Sequence, residues 1–471
     1  MINTDNNIKV ENSLPNQKLE AKTFYKALAT VVGPIAFQNL ISAAVSSTDV
    51  IMLNFVSEEA IAAVSLASYI PFILFIFLTG LASGMIMLTA QYWGKKDTYT
   101  IETLFGFATK LSAAFGLLFG LLSLVFPEYL MMIFTSDPEL IPIGADYLRI
   151  VSISFILMSV SNVYETIIKS IEHVKTVTSI SVSALLLNIV LNAAFIFGWG
   201  FFPKLEEEGV AWATTISRVI EFITCLIVGS RVKELNLNFK CMFRKNALLF
   251  KDFIHYTLPA LGNECVWGTG WTMYGVILGH LGKDIVTANS IVNILRNLGS
   301  VMCFGMAYGG AILIGKHMGA NELDLAKRNA SRLAKSTIFF GVLGAVFMIA
   351  CQPLMFMFAD LSPEKLSPQA IEYMKYIIYI SAISLIGASV NTVLICGVFR
   401  AGGDSKFGFI LDTVAMWGIS VPLGLLCAFV FNLPPLVVYT IMYLDEFEKI
   451  AVVVYHYKSG KWLKNITRNF N

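Results

Sequence analysis

Acidic residues inside long apolar stretches are the features of this sequence that could do chemistry. Asp49, Glu264 and Asp412 each lie away from the ends of such a stretch. A charge in the middle of a bilayer costs at least about 2.5 to 3.5 kcal/mol, so it is usually there for a function. A carboxylate that faces a water-filled cavity can hold a proton or Na⁺ in one state and exchange it for a cationic organic molecule in another. We therefore predict that these three acids form a coupling-ion site, with structural hydrogen bonding as the alternative for each.

A second set of polar and aromatic residues lies in the same apolar stretches. Amides can bind a polar ligand, and aromatic rings can bind an organic cation through their faces. Hydrogen bonding between helices is the alternative for each amide, and core packing is the alternative for each ring. An arginine in this set could neutralise an acid across a cavity. We predict that the following residues line a substrate cavity: Asn39, Asn188, Trp267, Tyr274, Asn289, Asn293, Arg296 and Asn391.

The sequence contains only incomplete versions of known enzyme and metal-site motifs. The segment GAILIGKH at 310–317 imitates a phosphate-binding loop, but it ends in His and its interior is apolar. The segments LASG at 81–84 and AGGD at 401–404 each lack the first Gly of an intramembrane protease motif. No His-Glu-x-x-His occurs, and the seven cysteines include no Cys-x-x-Cys pair. We therefore predict no catalytic residue, no metal site and no cofactor other than a coupling ion.

The composition indicates that membrane-spanning helices position these residues. Of the 471 residues, 56% are hydrophobic and only 14% are charged, against roughly 25% charged in soluble proteins. A bilayer-spanning helix needs about 20 mostly apolar residues. The apolar runs predict an all-α integral membrane protein with twelve spans, at 24–55, 60–93, 101–126, 140–168, 177–202, 209–230, 252–280, 286–317, 326–358, 369–397, 407–431 and 434–457.

Charge in the loops predicts the orientation of these spans. Lys and Arg near the ends of spans stay on the cytoplasmic side, and most of them fall in alternate loops, with Arg400 and Lys406 counted in one of these. The other loops carry only Lys204, Lys283 and Lys365. We therefore predict a multi-pass protein of the cytoplasmic membrane with both termini inside. The net charge of +2 argues against a nucleic-acid partner, and nothing indicates an obligate protein partner.

An internal repeat relates the two halves of the chain. Four residues recur at one constant offset: Pro34 with Pro259, Gly80 with Gly305, Gly84 with Gly309 and Gly94 with Gly319. This offset relates span 1 to span 7 and span 2 to span 8, so each half has six spans and the same orientation. Such parallel repeats place a cavity between two lobes that rock. The predicted segments are an N-terminal tail at 1–23, an N-lobe at 24–230, a cytoplasmic linker at 231–251, a C-lobe at 252–457 and a C-terminal tail at 458–471.

The repeat also distinguishes Glu264 from a purely structural acid. Glu264 lies five residues after Pro259, and its repeat mate, five after Pro34, is Asn39. An amide would suffice to hold helices together, and an ionised carboxylate is costly in an apolar setting. We therefore expect Glu264 to meet a cation for part of a cycle.

Several segments resemble the multidrug and toxic compound extrusion family of secondary transporters. The resemblance covers about residues 24–457 and rests, together with the repeat, on Pro34, TDVIM at 48–52, AQYWG at 90–94, GVAWAT at 209–214 and RAGGD at 400–404. It implies a V-shaped pair of six-helix bundles that exports organic cations in exchange for Na⁺ or H⁺. Asp49 matches the first-span Asp of the family.

The resemblance also bears on the coupling ion. A sodium-coupled branch of the family carries acids in spans 7 and 10; Glu264 matches the first only approximately, and the second position is Ser389 here. Asp412 in span 11 is a candidate substitute, and the departure slightly favours H⁺.

Three alternatives remain open. A transporter of the same superfamily that moves a lipid-linked saccharide would favour a cavity dominated by Arg and Lys, whereas three acids here face one Arg296. The major facilitator architecture would require a basic motif between spans 2 and 3, where this chain has GKKD at 94–97. A membrane-embedded enzyme would require a nucleophile or metal constellation.

Overall fold

The computed structural model describes residues 5–53, 58–199, 202–361 and 366–470, and these are almost entirely helical with no strand among them. Short additional helices are Pro127–Met132 and, in the linker, Phe239–Phe243. The spans are, in order, Asp5–Leu53; Glu58–Ala67 with Tyr69–Gly94; Thr98–Val125; Leu140–Ser170; Val174–Phe197; Glu206–Arg231; Ala247–His280; Lys283–Gly319; Leu323–Ala350 with Gln352–Leu361; Pro368–Thr392 with Val393–Phe399; Ser405–Asp412, Thr413–Ser420, Val421–Leu425 and Leu426–Val430; and Pro435–Tyr443 with Asp445–Ser459.

The all-helical membrane fold predicted from the sequence is confirmed. Ten helical segments in the described residues are long and apolar enough to cross a membrane. The other two spans, 7 and 12, are the ones that carry Glu264 and a group of charged residues near Lys449. The first helix begins at Asp5, ahead of the predicted start of the span at residue 24, because polar residues can extend a helix beyond the apolar layer.

Helix ends follow local sequence signals. The Asp97 side chain accepts a hydrogen bond from the Thr100 backbone N–H at the start of span 3, and Ser367 caps span 10 in the same way. Spans 10 and 11 contain wide π-helical turns at Val393–Phe399 and Thr413–Ser420. Such turns occur frequently at functional sites, and here one directly precedes Arg400.

Helix packing follows the two halves of the chain. In the first half, span 4 packs against spans 3 and 6, and span 5 packs against span 6. In the second half, spans 8, 9 and 10 pack against one another, and span 12 packs against span 10. Contacts between the halves join span 2 to spans 7 and 8, and span 1 to span 8.

Reciprocal glycine contacts show that the two halves are related by a two-fold axis. A Cβ on Gly94 would collide with the backbone carbonyl of Lys316, and a Cβ on Gly319 would collide with the carbonyl of Gln91. Gly94 and Gly319 are repeat mates, and so are Gln91 and Lys316. The same contact is therefore made twice, once in each direction, as parallel repeats about an axis along the membrane normal require.

The turns after spans 2 and 8 match as well. Lys96 and Asn321 occupy the same repeat position and both have left-handed backbone conformations, with φ of 62° and 63°. Non-glycine residues rarely adopt this conformation, so its occurrence at two repeat mates supports the same symmetry.

The C-terminal segment lies across the ends of both lobes. The Gln91 amide donates to the carbonyl oxygens of Ala401, at 2.7 Å, and Lys464, at 3.0 Å. The Gln91 Oε1 accepts a hydrogen bond from the Ile466 backbone N–H at 2.8 Å. Arg468 pairs with Asp252 of span 7. The lobes are thus in contact at the end that loop charge predicts to be cytoplasmic.

We expect Gly94→Ala and Gly319→Ala to weaken this closed contact to similar extents, because each new Cβ meets backbone rather than a movable side chain. Spin labels on exposed residues of the loops after spans 2 and 8 would report the separation of the lobe ends, which should shift toward longer distances in both variants. Gly33→Ala is the matched control: it lies in span 1, and no atom of another helix lies within 4 Å of its Cβ position. Unchanged distances in both test variants would mean that these glycines do not set the closure.

Candidate functional site

A cluster of ionisable side chains surrounds a small cavity in the second half of the chain. The charged residues that line it come from spans 7, 10, 11 and 12, and Ser83 of span 2 contributes from the opposite lobe. The cavity volume is about 80 Å³. This is room for a few waters or a small ion, since drug-sized ligand sites need about 300 to 1,000 Å³. Its charged lining residues are Glu264, Arg400, Asp412, Glu446 and Lys449.

Arg400 forms the first part of the cluster and joins the two lobes. Its Nη1 donates to Glu264 Oε1 and to Ser83 Oγ, each at 2.8 Å, and its Nη2 donates to Asn263 Oδ1. The Arg400 residue is only 4% exposed. It directly follows the π-helical turn of span 10. A buried guanidinium with several acceptors is held firmly, because its planar fork of donors is pre-organised for them.

Lys449 forms the second part of the cluster. Its Nζ lies 3.4 Å from Asp412 Oδ1, 3.6 Å from Asp445 Oδ2 and 3.4 Å from Glu446 Oε2, and the residue is 3% exposed. Span 12 breaks at Leu444, and a new helix begins at Asp445. Because helical residues three and four apart share a face, this helix places Asp445 and Glu446 beside Lys449.

Two asparagines connect the parts. Asn263, whose oxygen accepts from Arg400, donates from Nδ2 to Asp412 Oδ2 at 2.6 Å. Asn391 donates to both the backbone oxygen and Oε2 of Glu446, at 2.6 and 2.9 Å. The polar contacts therefore run without a gap from span 2 through spans 7 and 11 to spans 12 and 10.

The structure brings four of the predicted site residues together and places others elsewhere. Glu264, Asp412, Trp267 and Asn391 line the cavity. The side chain of Asp49 lies outside the described residues. The other predicted residues lie apart from the cavity: Asn39, Asn188, Tyr274, Asn289, Asn293 and Arg296.

Arg296 lies in an aromatic environment rather than beside an acid of the cavity. Its guanidinium stacks over the rings of Trp271 and Tyr443, at 4.6 and 4.7 Å from the ring centres. Tyr274 packs against the same two rings. These contacts stabilise the cation through the faces of the rings.

Of the four predicted amides outside the cluster, one bonds to a neighbouring helix and three lie half-buried. Asn188 donates to Thr214 of span 6 and accepts from Asn192, each at 3.4 Å. Asn289 and Asn293 are half-buried on span 8, as is Asn39 on span 1. For Asn188, the hydrogen bonds fit the alternative of helix–helix bonding.

Sequence reasoning missed four charged members of the cluster. Asp445, Glu446 and Lys449 were counted within a predicted apolar span, although residues 445–449 carry four charges, which is a signal that could have found them. Arg400 was assigned to a cytoplasmic loop, whereas it is buried. The described cavity therefore does not pair three acids with Arg296 alone: two other bases, Arg400 and Lys449, line it, and Arg296 does not.

These features define a class of protein. Two parallel six-helix lobes, related by a two-fold axis and enclosing buried ionisable groups, are the architecture of secondary transporters. The MatE family model matches residues 34–194 and 260–426, which is more than half of the chain, with one segment in each half. The chain belongs to this family, the multidrug and toxic compound extrusion transporters. It is a multi-pass membrane transporter and not an enzyme.

Similar proteins span nearly the whole chain. The uncharacterised transporter YisQ of Bacillus subtilis is 23% identical, over 94% of this chain and 96% of its own. The probable multidrug resistance protein YoeA of the same organism is 23% identical, over 97% of this chain and 98% of its own. Both are distant relatives.

Solved structures show the same fold. A MOP superfamily transporter from Pyrococcus furiosus, described as having a binding pocket of reverse polarity, matches with a TM-score of 0.82 and 17% identity, covering 92% of this chain and 95% of its own. A mutant of the Vibrio cholerae MATE transporter VcmN matches with a TM-score of 0.82 and 15% identity, covering 94% of this chain and 99% of its own.

Proposed function

We propose that this protein exports organic cations across the cytoplasmic membrane by alternating access, driven by the inward flow of H⁺ or Na⁺. The observation that carries the proposal is the cluster of four acids and two bases buried among membrane-spanning helices. Such groups are costly in a membrane and mark ion or substrate pathways. The names of relatives support a drug-like cargo, including the multidrug resistance protein PmpM of Pseudomonas aeruginosa, which is 22% identical over 86% of this chain.

The balance of charge in the cavity favours a cation as the cargo. Three carboxylates line it, against two bases. Arg400 is committed to Glu264, so a cargo cation that binds Glu264 must displace the guanidinium. Trp267 lies one helical turn from Glu264 and offers a ring face for the same cation.

The closed cavity requires a conformational change before a drug-sized cargo can bind. Its volume of about 80 Å³ is too small for such a molecule. Ser83 and Ile86 of span 2 close it from the opposite lobe. Separation of the lobes would remove these two residues and enlarge the cavity, which is how rocking of the lobes would expose the site.

We assign the coupling ion to the acids Asp49, Glu264 and Asp412. With an acid in each lobe, the coupling ion would bind a carboxylate in one conformation. The cargo cation would bind the same carboxylate in another conformation, so the two would compete for its charge. Asn39, Asn188, Asn289 and Asn293 remain proposed cargo contacts for the open state. Trp267, Tyr274, Arg296 and Asn391 complete that set.

Transport in proteoliposomes tests the proposal. We expect purified protein to move a fluorescent organic cation against its gradient when a pH or Na⁺ gradient is imposed, whereas protein-free liposomes should show no uphill movement. An anionic dye of similar size is the control. Preference for the anionic dye would favour the lipid-linked saccharide alternative, and the absence of any gradient-dependent movement would contradict the export of cations.

A further inference from the structure

The carboxylates around Lys449 form an oxygen-lined cage. Asp412 comes from span 11, and Asp445 and Glu446 come from the second helix of span 12. The Nζ of Lys449 lies 3.4 to 3.6 Å from one oxygen of each. These distances exceed the usual 2.7 to 3.2 Å of N–H···O bonds, so the ammonium lies close to all three carboxylates without a short bond to any one of them.

A buried oxygen without a hydrogen-bond partner belongs to Asn391, whose amide nitrogen bonds to one of these acids. Asn391 is 2% exposed and lines the cavity. Its Nδ2 donates to Glu446, but its Oδ1 has no hydrogen-bond partner. Carboxylate and amide oxygens are the ligands that hard cations take in proteins. Without the ammonium, Asp412, Asp445, Glu446 and Asn391 would therefore present a set of oxygen ligands to a metal ion.

The neighbouring base bonds to other partners through both of its terminal nitrogens. Arg400 bonds to Glu264, Asn263 and Ser83. Lys449 is thus the base that faces the three carboxylates in the described part of the cavity. Its removal would leave three acids in a buried setting, and buried charges must be paired, coordinated or neutralised.

We propose that Lys449 is a built-in cation that occupies the place of a metal ion in the C-lobe and so determines the ion preference of this transporter. In the wild-type protein the cage does not bind Na⁺, because the tethered ammonium fills it and its local concentration exceeds that of any dissolved ion. Coupling at Asp412 must then use H⁺, whereas coupling to Na⁺ would need an acid outside the cage, such as Asp49. The statement about export rests on the proposed function, whereas the proposal that Lys449 occupies the cage does not.

Ion binding to purified protein tests the assignment. The apparent unfolding midpoint would be measured in detergent at alkaline pH, with NaCl titrated against choline chloride at constant ionic strength. We expect no Na⁺-specific change for the wild-type protein. In Lys449→Gln the cage is empty of its ammonium, so we expect a saturable, Na⁺-specific rise of several degrees, because a ligand that binds only the folded state stabilises it.

Two control variants separate the cage from general effects of charge. Lys449→Arg keeps a cation in the cage and should not gain a response to Na⁺. Lys316→Gln removes the same charge from a different ion pair, with Glu172 at 2.8 Å, and should not gain one either. If Lys449→Gln does not fold, the double variant Lys449→Gln/Glu446→Gln lowers the excess negative charge and carries the same expectation.

Each possible result either supports or overturns the proposal that Lys449 occupies the cage. A saturable response to Na⁺ in the wild-type protein overturns the proposal, and so does a folded Lys449→Gln protein without one. A variant that is recovered only when it is purified in NaCl counts as a gain of Na⁺ binding. Because no cargo is moved in this assay, a failure of the proposed export function would leave its outcome unaffected.

Discussion

Asp49→Asn should abolish gradient-driven export while leaving the protein folded. The amide keeps the shape and hydrogen-bonding capacity of the carboxylate, but it cannot hold an exchangeable proton or pair with Na⁺. Gradient-driven dye movement in proteoliposomes should fall to the level of protein-free liposomes. Dye movement should stay at this background level at every pH tested. This result would distinguish the loss of the coupling group from a shift of the pH optimum.

A matched substitution controls for the replacement of an acid by an amide. Asp146→Asn also neutralises an acid on a helix of the N-lobe, but Asp146 is exposed and pairs with Arg149. Exposed ion pairs contribute about 0 to 1 kcal/mol, so this variant should transport normally. Coupled transport at the wild-type rate by Asp49→Asn would remove Asp49 from the mechanism.

The fold was predictable because its signals are local. Each span is an apolar run of sufficient length, and the repeat is visible in a few glycines. Gly94 and Gly319 recur because each lies against the backbone of the opposite lobe, where a side chain would not fit. These constraints act on single positions, so the sequence records them directly.

The cluster was only partly predictable because it depends on contacts between distant residues. Arg400 and Glu264 are separated by 136 positions, and nothing local indicates that they meet. The π-helical turn at Val393–Phe399 changes the helical phase just before Arg400, so counting helical turns back from Arg400 misplaces the residues that precede this turn. Lys449 was hidden by the apolar residues that follow it.

The two bases of the cluster have different roles in this structure. Arg400 makes short hydrogen bonds to three partners, including Ser83 of the opposite lobe, so its pairing with Glu264 is part of the closed conformation. Lys449 makes only longer contacts, all within the C-lobe. Opening of the lobes would therefore remove one acceptor of Arg400 and leave the surroundings of Lys449 intact. Because only Arg400 bonds to the opposite lobe, movement of the lobes can affect the Glu264–Arg400 pair but not the contacts of Lys449.

Arg400→Met should therefore be among the most destabilising substitutions in the chain. It leaves the Glu264 carboxylate without its buried partner, and breaking a buried ion pair in this way costs about 3 to 5 kcal/mol. The apparent unfolding midpoint of the purified protein would show the loss. Arg149→Met is the control, because Arg149 is 43% exposed in its side chain and its pairs with Glu128 and Asp146 lie at the surface.

A double variant shows whether the loss comes from the unpaired acid. Arg400→Met/Glu264→Gln removes both charges, so it should be more stable than Arg400→Met alone even though it carries one more substitution. The two single effects would then be strongly non-additive, as they are for residues in direct contact. Additive losses would mean that Arg400 stabilises the protein through Asn263 and Ser83 instead. In that case Glu264 would be free to bind a cation without first releasing the guanidinium, and the exchange step proposed for the cargo would not be needed.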